Sequence, residues 1–405
     1  MTVAESSTTN YLLLGGHATI LALWGLTQYV YIPYPVHLLT LVTAILYVGC
    51  HQSLFLAPKV NEKLLQQHCQ SGGNSSSFVS EPRETLRKED AYQFPLVGSC
   101  ALFSLYLAFK FLDKDLVNML IGLYFAVAGV IAMTITFNTY VEKILPSSAT
   151  NRKFGWDWLL NHPLPEWFAG PSPWDLSGEL NVSLVLAFAV AAGVVALYFS
   201  TQRAWYLNNI LAISFCLQGI RNFSVGSFQT AVILLIGLFF YDIFWVFGTE
   251  VMVKVATNLD GPIKILLPRD SLIPNPETGK LSLSLLGLGD IVIPGFFLSL
   301  MLRFDFHLAK LGNFDPTTVE HISFPKPYFY STLVGYVAGL GTTLFVMFHF
   351  NAAQPALLYL VPACLGTSFG CAVVRGEVSA LMEYTEEEAE EEAEEEDTPE
   401  KKKDE

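Results

Sequence analysis

The chain has 405 residues, 52% hydrophobic, 13% aromatic and only 15% charged, which excludes an ordinary soluble domain and places the excess apolar surface against lipid. The formal net charge is −14, yet Glu383–Glu405 alone holds 14 acidic residues and three lysines, so the acidity belongs to a tail. A chain of this balance offers no basic surface for nucleic acid. Its six cysteines, at 50, 69, 100, 216, 364 and 371, form no C-x-x-C pair, so neither a disulfide framework nor a zinc site is expected.

A helix needs about 20 apolar residues to cross the hydrocarbon core, with every amide satisfied internally. Ten runs meet that need: 11–32, 36–56, 94–112, 115–137, 182–200, 205–220, 229–250, 282–303, 328–349 and 353–373. The expected fold is an all-α polytopic membrane protein. No Lys or Arg precedes the first run, which argues against a cleavable signal peptide, so that run is expected to be retained. Only Pro33, Tyr34 and Pro35 separate it from the second, leaving two options: a tight hairpin, or one span plus an interfacial segment.

Four regions follow along the chain. Residues 1–93 hold the first two runs and a cytoplasmic loop that is expected to be flexible because of SGGNSSS at 71–77. Residues 94–228 form a helical bundle. Its connection at 151–177, with Trp156, Trp158, Trp167 and Trp174 among prolines, is expected on the bilayer surface. Residues 229–380 hold the deep carboxylates described below. Residues 381–405 form an acidic tail too charged to bury anything, expected to be disordered or a lone solvated helix.

Lys and Arg stay preferentially on the cytoplasmic side. With sides alternating from a cytoplasmic end of the second run, one side collects 16 of the 23 basic residues, which predicts a cytoplasmic C-terminus. The sequons at Asn74, Asn181 and Asn222 then fall in cytoplasmic loops or at span edges, and none is expected to be glycosylated.

Two acids lie deep within apolar runs, Asp242 in LLIGLFFYDIFWVFG and Asp290 in LSLLGLGDIVIPGFF. An intramembrane carboxylate must be neutralised, paired or solvated, and it marks a functional site by default. No Lys, Arg or His lies at comparable depth in the same runs, Arg303 standing at the edge, so two facing acids would share one proton. That is the state needed for one carboxylate to take a proton from water while its partner donates to a carbonyl oxygen. Gly287 and Gly289 open the backbone before Asp290, and the phenol of Tyr241 stands ready to order a carboxylate or a carbonyl. Gln354-Pro355-Ala356-Leu357 puts a residue with no amide proton at the start of the last run.

Tyr241-Asp242, Gly287-Leu288-Gly289-Asp290 and Pro355-Ala356-Leu357, in that order on separate apolar segments, resemble the YD, GxGD and PAL motifs of the signal peptide peptidase and presenilin group of intramembrane aspartic proteases. The flanking FFYDIFWVFGTEVMV, LLGLGDIVIPG and QPALLYLVPACLG are closer to signal peptide peptidase than to presenilin. The resemblance extends more loosely over residues 94 to 380. It implies a cofactor-free endopeptidase of the endoplasmic reticulum membrane with Asp242 and Asp290 catalytic. It also implies nine spans, so this chain carries one extra N-terminal apolar segment whose placement is open. The implied substrates are remnant signal peptides and other membrane-spanning segments with cytoplasmic N-termini.

Lys402 and Lys403, in the closing KKDE, fit a dilysine retrieval signal read by coat proteins. Oligomeric state is left open, a homo-oligomer included. Two other readings stay open at this stage: a proton-coupled transporter or channel using the same acids, although no repeated halves are visible, and a non-proteolytic scaffold for membrane proteins. There is no H-E-x-x-H, and no histidine in another late span to activate the serine of Gly366-Thr367-Ser368-Phe369-Gly370, His349 only closing the preceding run.

Overall fold

The computed structural model describes residues 3–54, 84–145, 153–154, 180–201, 203–269, 271–273, 281–309, 324–350 and 354–386. Each long apolar run becomes helical over most of its length. In chain order these are α1 (Val3–Leu26), α2 (Tyr34–Ser53), α3 (Lys88–Phe111), α4 (Lys114–Ile144), α5 (Val182–Ser200), α6 (Trp205–Asn222), α7 (Phe228–Phe247), α8 (Val251–Asn258), α9 (Gly289–Leu308), α10 (Pro327–Phe350), α11 (Leu357–Arg375) and α12 (Val378–Glu383). Three two-stranded pieces accompany them: β1 (Glu84–Leu86) with β4 (Phe223–Val225), β2 (Lys153–Phe154) with β3 (Leu180–Asn181), and β5 (Lys264–Pro268) with β6 (Leu283–Gly287).

Among the described residues eight helices are long and apolar enough to cross a membrane: α2, α3, α4, α5, α7, α9, α10 and α11. α6 falls short because it carries Asn208, Asn209, Ser214 and Gln218, all buried. It packs against α2, α4, α9 and β5, so protein rather than lipid surrounds those polar groups. The apolar part of α1 is the shorter stretch Leu14–Leu26. The layering follows the same logic. None of the apolar window of α3 is buried, whereas 67% of that of α2 and 72% of that of α9 is, so α2 and α9 form the centre of the bundle.

Close packing at the centre depends on small residues. On α10, a Cβ at Gly335 would lie 2.7 Å from the Ala363 carbonyl oxygen of α11, and one at Gly339 would lie 3.0 Å from that of Tyr359. On α9, a Cβ at Gly295 would meet Ile220 of α6 at 2.8 Å and Leu46 of α2 at 3.2 Å.

The run at 282–303 departs from expectation. It starts as strand β6 and becomes helix only at Gly289, which then continues to Leu308. β6 pairs antiparallel with β5, Lys264 opposite Gly287 and Pro268 opposite Leu283. The other edge of β5 is closed by side chains of α6. Asn209 donates to the Leu266 carbonyl at 2.7 Å and accepts from its amide at 2.9 Å, while Asn208 donates to the Lys264 carbonyl at 2.7 Å. An unpaired strand edge is costly away from water, and two asparagines remove that cost on one side.

The tail also departs from expectation, in its first residues. Leu381, Tyr384 and Glu386 are buried, Ser227 and Thr385 form a β-bridge, and the Glu386 amide donates to the Gly226 carbonyl at 2.8 Å. The reason is Arg303. Because α9 reaches Leu308, Arg303 falls within the helix rather than at its edge and is buried there, and Glu386 is its ion-pair partner. The stretch at 71–77, the tryptophans at 156, 158, 167 and 174, and Lys402 and Lys403 lie outside the described residues.

Candidate active site

Asp242 sits on α7 and is 4% exposed. Its Oδ2 accepts a hydrogen bond from the backbone amide of Leu357 at 3.0 Å. The local sequence explains why that amide is available. The first amides of a helix have no partner within it, Pro355 has no amide proton at all, and Ala356 at the N-cap has no side-chain acceptor. The Asp242 side chain of α7 therefore caps α11, an acceptor at the positive end of a helix dipole. Pro355, Ala356 and Leu357 are all buried there, while Gln354 accepts from the Tyr359 hydroxyl at 3.3 Å.

Asp290 is the second residue of α9 and is partly exposed. The turn before it is fixed from the hairpin side: the Leu288 amide donates to the Ile263 carbonyl at 3.0 Å, and the Val292 amide returns to Leu288 at 2.8 Å. A Cβ on Gly287 would come to 3.4 Å from Asp290 Oδ2, so the absence of a side chain there keeps space beside the carboxylate. Gly289 is exposed. The Asp290 and Asp242 carboxylates are within electrostatic range of one another, and α7, α9 and α11 contact each other pairwise.

Tyr336 of α10 is the residue that sequence reasoning missed. It is fully buried, and its hydroxyl donates to the backbone carbonyl of Asp290 at 3.0 Å. In a regular helix that carbonyl would accept from the amide four residues on, which here is Pro294. Proline has no amide proton, so the tyrosine supplies the missing donor. The pairing of a proline four residues after the aspartate with a tyrosine on the next span was the only available signal.

Tyr241 behaves differently from expectation. Its ring packs on Gly98 of α3, 3.6 Å from where a Cβ would stand, and beside Trp245. Among the described residues no hydrogen bond joins its hydroxyl to either carboxylate. Neither acid has an ion-pair partner among the described residues. The closest cation on the hairpin, Lys264, donates to the Leu259 carbonyl at 3.2 Å, and burial pulls its ammonium below the ordinary lysine range.

Two acids at two converging helix N-termini carry no name by themselves. The family model for signal peptide peptidase matches residues 78–388. The chain belongs to the signal peptide peptidase family. It is 37% identical over 321 residues to the human signal peptide peptidase, covering 78% of each chain. A probable intramembrane protease of Schizosaccharomyces pombe is 33% identical over 318 residues, covering 78% of this chain and 90% of that one. Intramembrane protease 2 of Caenorhabditis elegans is 48% identical over 185 residues, or 46% of this chain and 39% of that one. No solved structure matches. As a member of this family the chain is a multi-pass membrane protease, and α1 and α2 lie ahead of the matched region.

Proposed function

We propose that this chain is an intramembrane aspartyl endopeptidase in which Asp242 and Asp290 together activate water. The observation that carries the reading is the convergence of two helix N-termini on two carboxylates with no cationic partner among the described residues: α9 beneath Asp290, α11 through the Leu357 amide on Asp242. Helix dipoles can hold a single negative charge there, and the pair keeps one proton for catalysis. The ionised carboxylate takes a proton from water as its oxygen attacks the scissile carbonyl carbon. The protonated carboxyl gives its proton to the carbonyl oxygen, forming a gem-diol. Return of a proton to the amide nitrogen then breaks the C–N bond.

A transmembrane helix must open before its carbonyls can be reached. The outer edge of β6 has no backbone partner among the described residues and runs directly into Asp290, so it offers amides and carbonyls to an unwound segment. Substrates of this reading are remnant signal peptides and other spans with cytoplasmic N-termini, in the endoplasmic reticulum membrane. Lys402 and Lys403 act as the retrieval signal. Replacing both by Ser is expected to move the protein out of that membrane by fluorescence microscopy while leaving proteolysis in vitro intact; unchanged location would reject the signal.

The decisive test is cleavage of a labelled signal peptide by the purified full chain in detergent. Asp242→Asn and Asp290→Asn are each expected to reduce cleavage to background, because an amide supplies neither base nor transferable proton. Melting temperatures should be at least those of the wild type. Robust cleavage by either variant would remove that aspartate from the mechanism.

A further inference from the structure

At the end of the bundle opposite the docked tail, the first turns of α4, the last turn of α5 and the segment after α8 line an open, surface-facing cavity of about 440 Å³. It is lined by Asp115, Asn118, Met119, Gly122, Phe199, Arg203 and Asp260. None of these belongs to the aspartate site. From the geometry of this cavity we infer a binding site for one aminophospholipid headgroup, a phosphate joined to a primary ammonium.

The polar part of the cavity is built and held. Arg203 has φ 62°, a left-handed backbone that side chains other than glycine rarely adopt, and its amide closes back onto the Tyr198 carbonyl at 2.9 Å. Its guanidinium lies over the Phe199 ring, and Nη1 donates to the Asp260 carbonyl at 2.9 Å and faces the Asp260 carboxylate at 3.4 Å. Asp260 is fixed in turn, its amide donating to Asn118 Oδ1 at 3.2 Å, while Asn118 Nδ2 donates to the Asn258 carbonyl at 3.1 Å. These contacts use only one corner of the guanidinium. Nε and Nη2 make no hydrogen bond among the described residues, and a guanidinium with two free donors side by side matches two phosphate oxygens.

The ammonium half follows from the acids. Asp115 is exposed, and its carboxylate makes no hydrogen bond among the described residues; Asp260 is 63% exposed. Carboxylates accept N–H bonds, which a primary ammonium has and a quaternary one lacks. A quaternary group would instead need an aromatic cage, and the one lining ring, Phe199, is already under Arg203. The apolar half is Met119, Gly122 and Phe199. It continues along α4 into Leu120, Leu123 and Val127 and along α5 into Leu197, all exposed and fit only for acyl chains. Polar lining at the helix ends and apolar lining below is the order of groups in a phospholipid.

The test uses the purified full chain in detergent micelles with dioleoyl phosphatidylethanolamine, phosphatidylcholine and phosphatidylglycerol, and separately with soluble glycerophosphoethanolamine. Retained lipid is read by native mass spectrometry and stabilisation by thermal melting. Wild type should retain phosphatidylethanolamine several-fold over the other two and melt higher with it, and glycerophosphoethanolamine should do neither. Asp115→Asn, an exposed change that leaves the fold alone, should erase the preference over phosphatidylcholine. Arg203→Lys should weaken all three lipids, with retained peptide cleavage as its control for folding. Equal retention of the three lipids by wild type, or an undiminished preference in Asp115→Asn, would overturn the assignment. So would stabilisation by glycerophosphoethanolamine equal to that by the lipid, which would make this a soluble-ligand site.

Discussion

The two ends of α9 carry charge in opposite ways. At its C-terminal end Arg303 pairs with Glu386 and donates to Ser53 at 3.2 Å and Ser224 at 2.8 Å, and Ser224 donates to Glu386 in turn. Two residues on, Asp305 accepts from the Tyr328 and Phe329 amides at 3.1 and 2.8 Å and so caps α10. At its N-terminal end Asp290 has glycine on one side, a second acid in range and no ion-pair partner among the described residues. All three groups are in one helix, yet Arg303 and Asp305 are buried and fully engaged, whereas Asp290 is partly exposed and its carboxyl is left available.

This contrast makes opposite predictions for activity and stability. Asp290→Asn, with the largest expected effect, abolishes cleavage and does not lower the melting temperature. Glu386→Ala does the reverse, leaving a buried guanidinium without its carboxylate. Breaking a buried pair by removing one partner costs about 3–5 kcal/mol, so the melting temperature in detergent should fall sharply. The fraction that remains folded should still cut. A Glu386→Ala protein that melts like the wild type would show that the docked tail does not hold α9, and the two ends would no longer differ in kind.

How much of this was legible in the sequence follows the same division. Asp242, Asp290 and the proline before α11 stood out because each violates the apolar run that contains it. Arg303 was visible, but its partner was not, since Glu386 opens a run of acids that reads as solvated; nothing local distinguishes the one glutamate that turns inward. The strand character of β6 was present as the Leu-Ser alternation of Leu281, Ser282, Leu283, Ser284 and Leu285. A window of the length of a membrane span averages that period of two into a hydrophobic run. α6 was counted as a span on its apolar residues, while its asparagines and glutamine indicated a helix surrounded by protein. The Leu357 amide could not be read at all, because a backbone donor has no letter of its own.

The smallest expected effect concerns the Asp290 carbonyl. Tyr336→Phe removes the hydroxyl that replaces the amide missing at Pro294, and leaves a buried acceptor without a donor. A lost hydrogen bond of this type is worth about 1 kcal/mol, up to about 3 where the acceptor is fully desolvated. The turn that carries the carboxylate should loosen, so kcat for a labelled signal peptide should fall by no more than about tenfold, with KM little changed because no substrate contact is lost. A role through the carbonyl has a specific rescue. Pro294→Ala restores an amide four residues after Asp290, so the double variant Tyr336→Phe, Pro294→Ala should recover kcat and melting temperature relative to Tyr336→Phe alone, a coupling that independent sites do not show. Simple additivity in that cycle would mean that the Tyr336 hydroxyl does not act through the Asp290 carbonyl, and that the geometry of the Asp290 turn rests on the β5–β6 hairpin.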